Sequence, residues 1–280
     1  MRPGLRAREF DDRSPRNDGR SRAEIVGKIR HTTCVQQDFL ADLVAFAPQE
    51  YHRLAADEQQ RFHVHADRLV RRTSWEPARN FTITSDMIYT VAAHAALIVA
   101  GFDPIVDPFR NVAAVVLHRG TIVTTGPQPG PVAGVMTASP RYLAGQSGHG
   151  RGPVLLDWRT VKQEVSRPRR GSNVVYHEFA HKLDQLDGDA DGMPPIADAE
   201  ARQAWEQTMG TNFRRLQRRG GTGLVRAYGA TNQAEYFAVT SEVFFTRPTE
   251  LRDQMPRLYE RLAEFYRQDP AGRVVRPVLD

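Results

Sequence analysis

The sequence predicts an α+β fold in which helices flank a small sheet. Long segments place apolar residues at helical spacing, whereas one short stretch, 112–117, is continuously apolar and largely β-branched. The 280 residues are 40% hydrophobic and 25% charged, a balance that can bury a sizeable core in one domain or two closely packed ones. Residues 1–24 read as a disordered, solvated arm, because Arg, Asp, Gly, Pro and Ser dominate and large apolar residues are nearly absent. A helix over 35–47 carries Phe39, Leu40, Leu43, Val44 and Phe46 and stops at Pro48. Residues 56–72 set Phe62, Leu69 and Val70 on a charged background, the pattern of a surface helix. Thr84, Ser85 and Asp86 form an N-cap cluster for a helix running to Gly101. That helix is apolar nearly all round, so it belongs in the core, with His94 as a core histidine. The 112–117 strand is turned by Gly120, and 122–125 is expected to return beside it. Loops follow at 126–134 and 149–152, then a strand over 153–158. Helices are expected over 173–187, 198–218, 231–246 and 255–268, with Gly-rich or Pro-rich breaks between them.

Several function classes drop out. No apolar run approaches the roughly 18 residues of a bilayer-spanning helix, and the longest, 91–100, contains His94. The first 30 residues lack the hydrophobic stretch of a secretory signal. The single cysteine, Cys34, permits no internal disulfide and no thiolate-rich zinc site, and reads as an inert thiol. A reducing, cytoplasmic setting is expected. The net charge is +5, but of the 38 basic residues only Lys28, Lys162 and Lys182 are lysines, and the arginines are scattered among acids. No nucleic-acid partner is expected from that distribution.

The sharpest signal is His177-Glu178-Phe179-Ala180-His181, an HExxH motif. Chance places such a triplet in a chain this long on the order of 1% of the time, so the motif is taken as meaningful. Only in a helix do positions i and i+4 bring two imidazoles to one face. Val175, Phe179, Leu183 and Leu186 fall on the opposite face, and Asn173 is placed to cap the start. His177 and His181 are thus expected to bind one zinc per chain. Glu178, one position round, is expected to work as a proton shuttle without ligating the metal. Asp184 shares the histidine face but lies two turns from His177. It is expected to support the ligand histidines from outside or to anchor the helix, with a plain surface acid as the alternative.

A third ligand is needed. Glu235 and Glu242 stand at i and i+7 on a largely apolar helix, where a carboxylate is unfavourable unless something positive pairs with it. Glu235 is assigned as the ligand and Glu242 as the carboxylate that accepts from a ligand histidine. The reverse assignment stays open. Tyr228, just before this helix, is placed to stabilise an oxyanion. Gly220, Gly221 and Gly223 suggest a closing segment.

The stretches VVYHEFAHKLD, DGDADGMPP and YGATNQAEYFAVTSEVFF together resemble the MtfA (Mlc titration factor A) family of zincin-type peptidases. The resemblance extends more weakly back through Phe81 to Trp158. Over the two active-site helices the chain is also similar to the catalytic domain of anthrax lethal factor. The resemblance implies a zincin-like domain over 111–280, with 25–110 as a helical part of the same compact unit. It implies His177, His181 and Glu235 as zinc ligands, Glu178 as base and Tyr228 as the stabilising phenol. It further implies aminopeptidase-like activity on a peptide or protein substrate, and a transcriptional regulator as partner. In zincins an edge strand over the cleft can pair with the substrate backbone; 112–117 and 153–158 are the two candidates.

Asp187, Asp189, Asp191 and Gly192 resemble the opening of a calcium loop, with Asp198 where the closing acid would fall. Pro194 and Pro195 interrupt that loop, so a turn after the active helix is expected rather than a calcium site.

Overall fold

The computed structural model describes residues 41–78, 80–120, 152–220 and 223–273, together with the backbone of four two-residue strand segments between 123 and 142. The arm expected over 1–24, Cys34, the start of the 35–47 helix, Gly221, and most of the loops expected over 126–134 and 149–152 lie outside the described residues.

Residues 41–45 are helical, Leu43 is buried, and a 3-10 turn, Gln49–Arg53, follows Pro48. Helix α1, Ala56–Arg72, is less superficial than its composition suggests, for Phe62, His65, Ala66, Leu69 and Val70 are all buried. Strand β1, Ser74–Pro77, follows at once. Helix α2, Ser85–Ile98, starts where Thr84 Oγ1 accepts from Met87 N at 3.4 Å. Strands β2, Val112–His118, and β3, Gly152–Asp157, complete a three-stranded sheet of order β1-β2-β3 in which both pairings are parallel.

This topology overturns the expected hairpin. Both sides of β2 are taken by parallel partners, so 122–125 has no edge along which to return. Val123–Thr124 pairs instead with Arg141–Tyr142, antiparallel. For the same reason β2 cannot be an edge strand over a cleft, whereas β3 is an edge of this sheet.

Helix α3, Trp158–Val165, starts directly after β3, capped by Asp157 Oδ1, which accepts from Arg159 N at 3.0 Å. Helix α4, Val174–Asp184, carries the HExxH residues and passes into a 3-10 turn, Gln185–Asp187. Helix α5, Ala199–Arg219, is capped by Asp198 and ends at Gly220 in the left-handed region. Helix α6, Gln233–Thr246, is capped by Asn232 Oδ1, which accepts from Glu235 N at 2.8 Å. Helix α7, Pro248–Gln254, occupies what the sequence presents as a break, and α8, Pro256–Tyr266, follows it. No described helix is long and apolar enough to cross a membrane.

Helix α4 packs against both α2 and α6, and against β3. Its apolar face enters one continuous core, where Phe179 meets Phe109 edge-on at 4.8 Å and Tyr176 meets Phe245 at 5.6 Å. The loop after α4 is tied back twice. Asp184 Oδ2 accepts from Gly192 N, and Gly192 O accepts from Trp205 Nε1, both at 3.0 Å. Gly192 has φ +82°, and a Cβ built on it would lie 2.4 Å from the carbonyl oxygen of Gln233. The loop therefore rests backbone against backbone on the first turn of α6.

Candidate metal centre

Asn173 begins the site. Its Oδ1 accepts from Val175 N at 3.1 Å and Tyr176 N at 3.2 Å, which fixes the first turn of α4. One turn on, His177 and His181 project from the same face with rings 4.8 Å apart and nearly perpendicular. Glu235, in the first turn of α6, reaches the same point. Among the described residues, His177, His181 and Glu235 are the group of His, Cys, Asp or Glu side chains whose ligand atoms come together, all within 4.8 Å.

The individual distances are more telling. Glu235 Oε2 lies 3.1 Å from His177 Nε2 and 3.4 Å from His181 Nε2, and the two Nε2 atoms are 3.2 Å apart. Tetrahedral zinc with bonds of about 2.0–2.1 Å holds its ligand atoms about 3.3–3.4 Å from one another. Glu235 Oε2 is buried and makes no well-formed hydrogen bond, although both imidazoles are close. His177 Nδ1–H donates to Glu242 Oε1 at 2.7 Å, so Nε2 is the ring nitrogen left facing the shared point. Three potential ligand atoms this close together call for positive charge among them, either a proton on an imidazole or a metal ion that replaces it. The residues present fit a divalent metal of zinc's size and ligand preference.

The electrostatics agree. Burial opposes charge on His177, but the carboxylates of Glu235 and Glu242 outweigh it and push its pKa up to about 10. Burial would also raise Glu235, yet the two histidines hold it well below the usual carboxylate range. The pocket is built to receive positive charge.

Glu242 is wholly buried and fully engaged. Its Oε2 accepts from Asn173 N at 2.8 Å, and Arg226 pairs with both oxygens, Nη2 to Oε1 at 2.6 Å and Nη1 to Oε2 at 3.1 Å. Glu235 thus reaches the point shared by the two histidines, and Glu242 lies behind His177. Glu178 is buried with Oε1 unpartnered, and burial raises its pKa. Tyr228 sits at the mouth, 46% exposed, with its ring 6.0 Å from that of His177. Burial of its hydroxyl, then the Glu235 carboxylate, raises the phenol's pKa, so it remains a donor.

Asp184 is buried and bonds Gly192 N, with Oδ1 unpartnered. No hydrogen bond joins it to either histidine among the described residues; its bond ties the end of α4 to the loop that follows. The acids of the calcium-like loop serve turns instead. Asp187 Oδ1 accepts from Asp189 N, Asp191 Oδ1 from Met193 N and Asp198 Oδ1 from Ala201 N.

Three residues near the centre escape sequence reasoning. Arg226 holds Glu242. Glu164 accepts from Val174 N at 2.5 Å and so satisfies a free N–H of α4. Lys182 is buried on the active helix, with Nζ donating to Gly152 O at 3.0 Å, and so ties α4 to the start of edge strand β3. The charge of Arg226 among many arginines carries no signal of its own. Lys182 does have one, because it is among only three lysines and stands beside the motif.

A helix presenting two histidines to a carboxylate from a second helix, in a mixed fold with a small sheet, defines a metallopeptidase-type protein. The chain belongs to the family described as glucose-regulated metallo-peptidase M90, whose model matches residues 22–267. It is 34% identical over 233 residues to Mlc titration factor A of Edwardsiella ictaluri, covering 81% of this chain and 86% of the relative. It is 32% identical over 232 residues to Mlc titration factor A of Serratia proteamaculans, covering 78% of this chain and 83% of the relative. A Synechocystis protein is 25% identical over 241 residues, covering 84% of each chain.

Proposed function

We propose that the protein is a zinc-dependent peptidase in which His177, His181 and Glu235 hold the metal. The observation that carries this is the convergence of three ligand atoms, the two histidine Nε2 atoms and Glu235 Oε2, at 3.1–3.4 Å from one another. When bound there, zinc supplies Lewis acidity towards a carbonyl oxygen and makes water easier to ionise. Glu178 accepts the proton from the attacking water at its free Oε1 and passes it to the leaving amine. Its raised pKa suits an acid–base role that runs both ways. Tyr228 donates its phenolic hydrogen to the oxygen that gains negative charge. Glu242 keeps His177 in the tautomer whose Nε2 is free. The substrate is a peptide or protein, and cleavage of an N-terminal residue is the activity that the family resemblance favours.

The test compares wild type with Glu178→Gln on a peptide library after zinc loading. Hydrolysis is expected to vanish while zinc content stays at about one per chain. A Gln variant that cleaves as fast as wild type overturns the mechanism.

A second reading has one observation behind it: the relatives are named as titration factors of Mlc. In that reading the chain acts by binding a transcriptional regulator. A cellular effect that survives Glu178→Gln would favour it over peptidase action.

A further inference from the structure

We propose that the face formed by α1 and the 103–107 loop is a docking site for a segment of a partner protein, one in which a large apolar side chain is flanked by carboxylates. Ile105 is 87% exposed and Val106 52% exposed. With Val64 on α1 and Tyr228 at the metal centre, they are the exposed large hydrophobic residues among those described. Scattered exposed aliphatic residues are common on protein surfaces and mean little singly. Here three lie on neighbouring segments, because the loop tracks α1. Arg61 Nε donates to Ala100 O at 2.8 Å, His65 Nε2 lies 3.3 Å from Phe102 O, and Arg68 donates to Pro104 O at 2.6 Å and Val106 O at 3.0 Å. Val64 lies among these helix positions.

The loop is also braced internally. Ile105 N donates to Asp103 Oδ1 at 2.8 Å, and Phe109 N to Asp107 Oδ1 at 3.1 Å. Ile105 and Val106 thus sit on a tip whose backbone is held at both ends.

Beside the tip opens a cavity of about 320 Å³. Its lining is mostly polar, with Arg68, Arg72 and Arg110 against the single acid Asp107, and the buried Leu69, Phe109 and Val112 lie behind it. The Arg72 side chain is 72% exposed and pairs with Asp107 Oδ2 at 3.4 Å. Exposed aliphatic side chains beside a cavity rimmed by guanidinium groups have the anatomy of a protein-binding patch. Its charge selects carboxylates, which arginine can grip through two hydrogen bonds. The same charge argues against two other occupants. A second copy would set arginine against arginine, and the chain's own residues 1–24 contain more arginine than acid. Arg110 also donates to Leu186 O at 3.2 Å, just past the active-site helix, so a docked segment would be tied to the framework of the metal centre.

The test pans a displayed library of random short peptides on the full chain bearing Glu178→Gln, which blocks the proposed cleavage. Peptides that also bind the Ile105→Asp, Arg72→Glu double variant are removed. The recovered pool is expected to combine Leu, Ile, Phe or Trp with flanking Asp or Glu. A labelled member should bind the Ile105→Asp and Arg72→Glu single variants at least about tenfold more weakly. It should weaken with added salt and bind His177→Ala unchanged. Both substituted side chains are exposed, so the melting temperature is expected to hold. The proposal is overturned if the pool is rich in Lys and Arg, or if no binder distinguishes the variants. It is equally overturned if binding is lost in His177→Ala, which would place the peptide in the metal cleft, or arises only after residues 1–24 are deleted, which would make that arm the occupant.

Discussion

Arg226 grips both oxygens of Glu242 through a two-pronged contact of 2.6 and 3.1 Å, and Glu242 in turn holds Nδ1 of His177 at 2.7 Å. Arg226 also lies 5.9 Å from the centre of the Tyr228 ring. One guanidinium therefore supports both the carboxylate behind a ligand and the phenol in front of it.

Removing that guanidinium is expected to loosen the metal without unfolding the chain. Outer partners of ligand histidines are typically worth about 10–100-fold in metal affinity. Arg226→Ala should lose zinc affinity in that range in a competition titration with a chromophoric chelator. Arg226→Lys, which offers a point charge in place of the fork, should recover only part of it. Equal affinity in wild type and Arg226→Ala would show that Glu242 is held well enough by Asn173 alone.

Metal removal should be visible as stability. A ligand present at about 1,000 times its Kd adds about 4 kcal/mol to folding, so chelation should lower the melting temperature clearly. His177→Ala should melt at the same temperature with and without chelator. A wild-type protein indifferent to chelation would mean that His177, His181 and Glu235 hold no ion.

Two buried groups give opposite pH dependence, best measured with chelator present. Burial raises Asp184 from 3.8 to about 7 against the partial relief of the Gly192 N–H; His181 favours its ionised form, while Asp187 and Asp191 oppose it. Its contribution is complete below pH 3.8 and is lost as pH rises through about 7. Burial lowers His94 from 6.5 to about 4. Its contribution is complete above pH 6.5 and is lost as pH falls through about 4. Between these limits the two slopes largely cancel. Asp184→Asn keeps an acceptor for Gly192 N and removes one slope. It should therefore gain stability relative to wild type at pH 8, on the order of 4 kcal/mol at most, and lose it more steeply on acidification. Urea midpoints across pH test this, and parallel profiles for the two proteins would refute it.

Tyr228→Phe should leave zinc content and peptide KM nearly unchanged while lowering kcat by about 100- to 1,000-fold, the usual range for one lost oxyanion donor. A kcat within a factor of a few of wild type would remove the phenol from the mechanism.

Much of this centre is legible in the sequence because helices carry their own ruler. The four-residue step from His177 to His181 fixes a shared face, and the seven-residue step from Glu235 to Glu242 separates one carboxylate from another by two turns. Contacts between distant segments have no such ruler. Nothing local connects Arg226 to Glu242, or Lys182 to Gly152. Strand β1 is also hidden. Ser74-Trp75-Glu76-Pro77 shows no alternation and ends in proline, and it is a strand only because β2 offers an edge to pair with. Helix α7 is misread as a break because Pro248 marks both an ending and a beginning, and here it occupies the first helical position. The expected return at 122–125 fails for the opposite reason: the local turn signal at Gly120 is sound, but the place beside β2 is already filled.

Gly192 bears on the spacing of the proposed metal centre. The loop leaving the histidine helix touches the chain at Gln233, two residues ahead of Glu235, with no room for even a methyl group between them. In the proposed centre, the approach of the two histidines to Glu235 would thereby depend on a hydrogen atom at Gly192. A bulkier residue there would act as a shim, widening the gap between imidazoles and carboxylate and changing which ion the cage prefers.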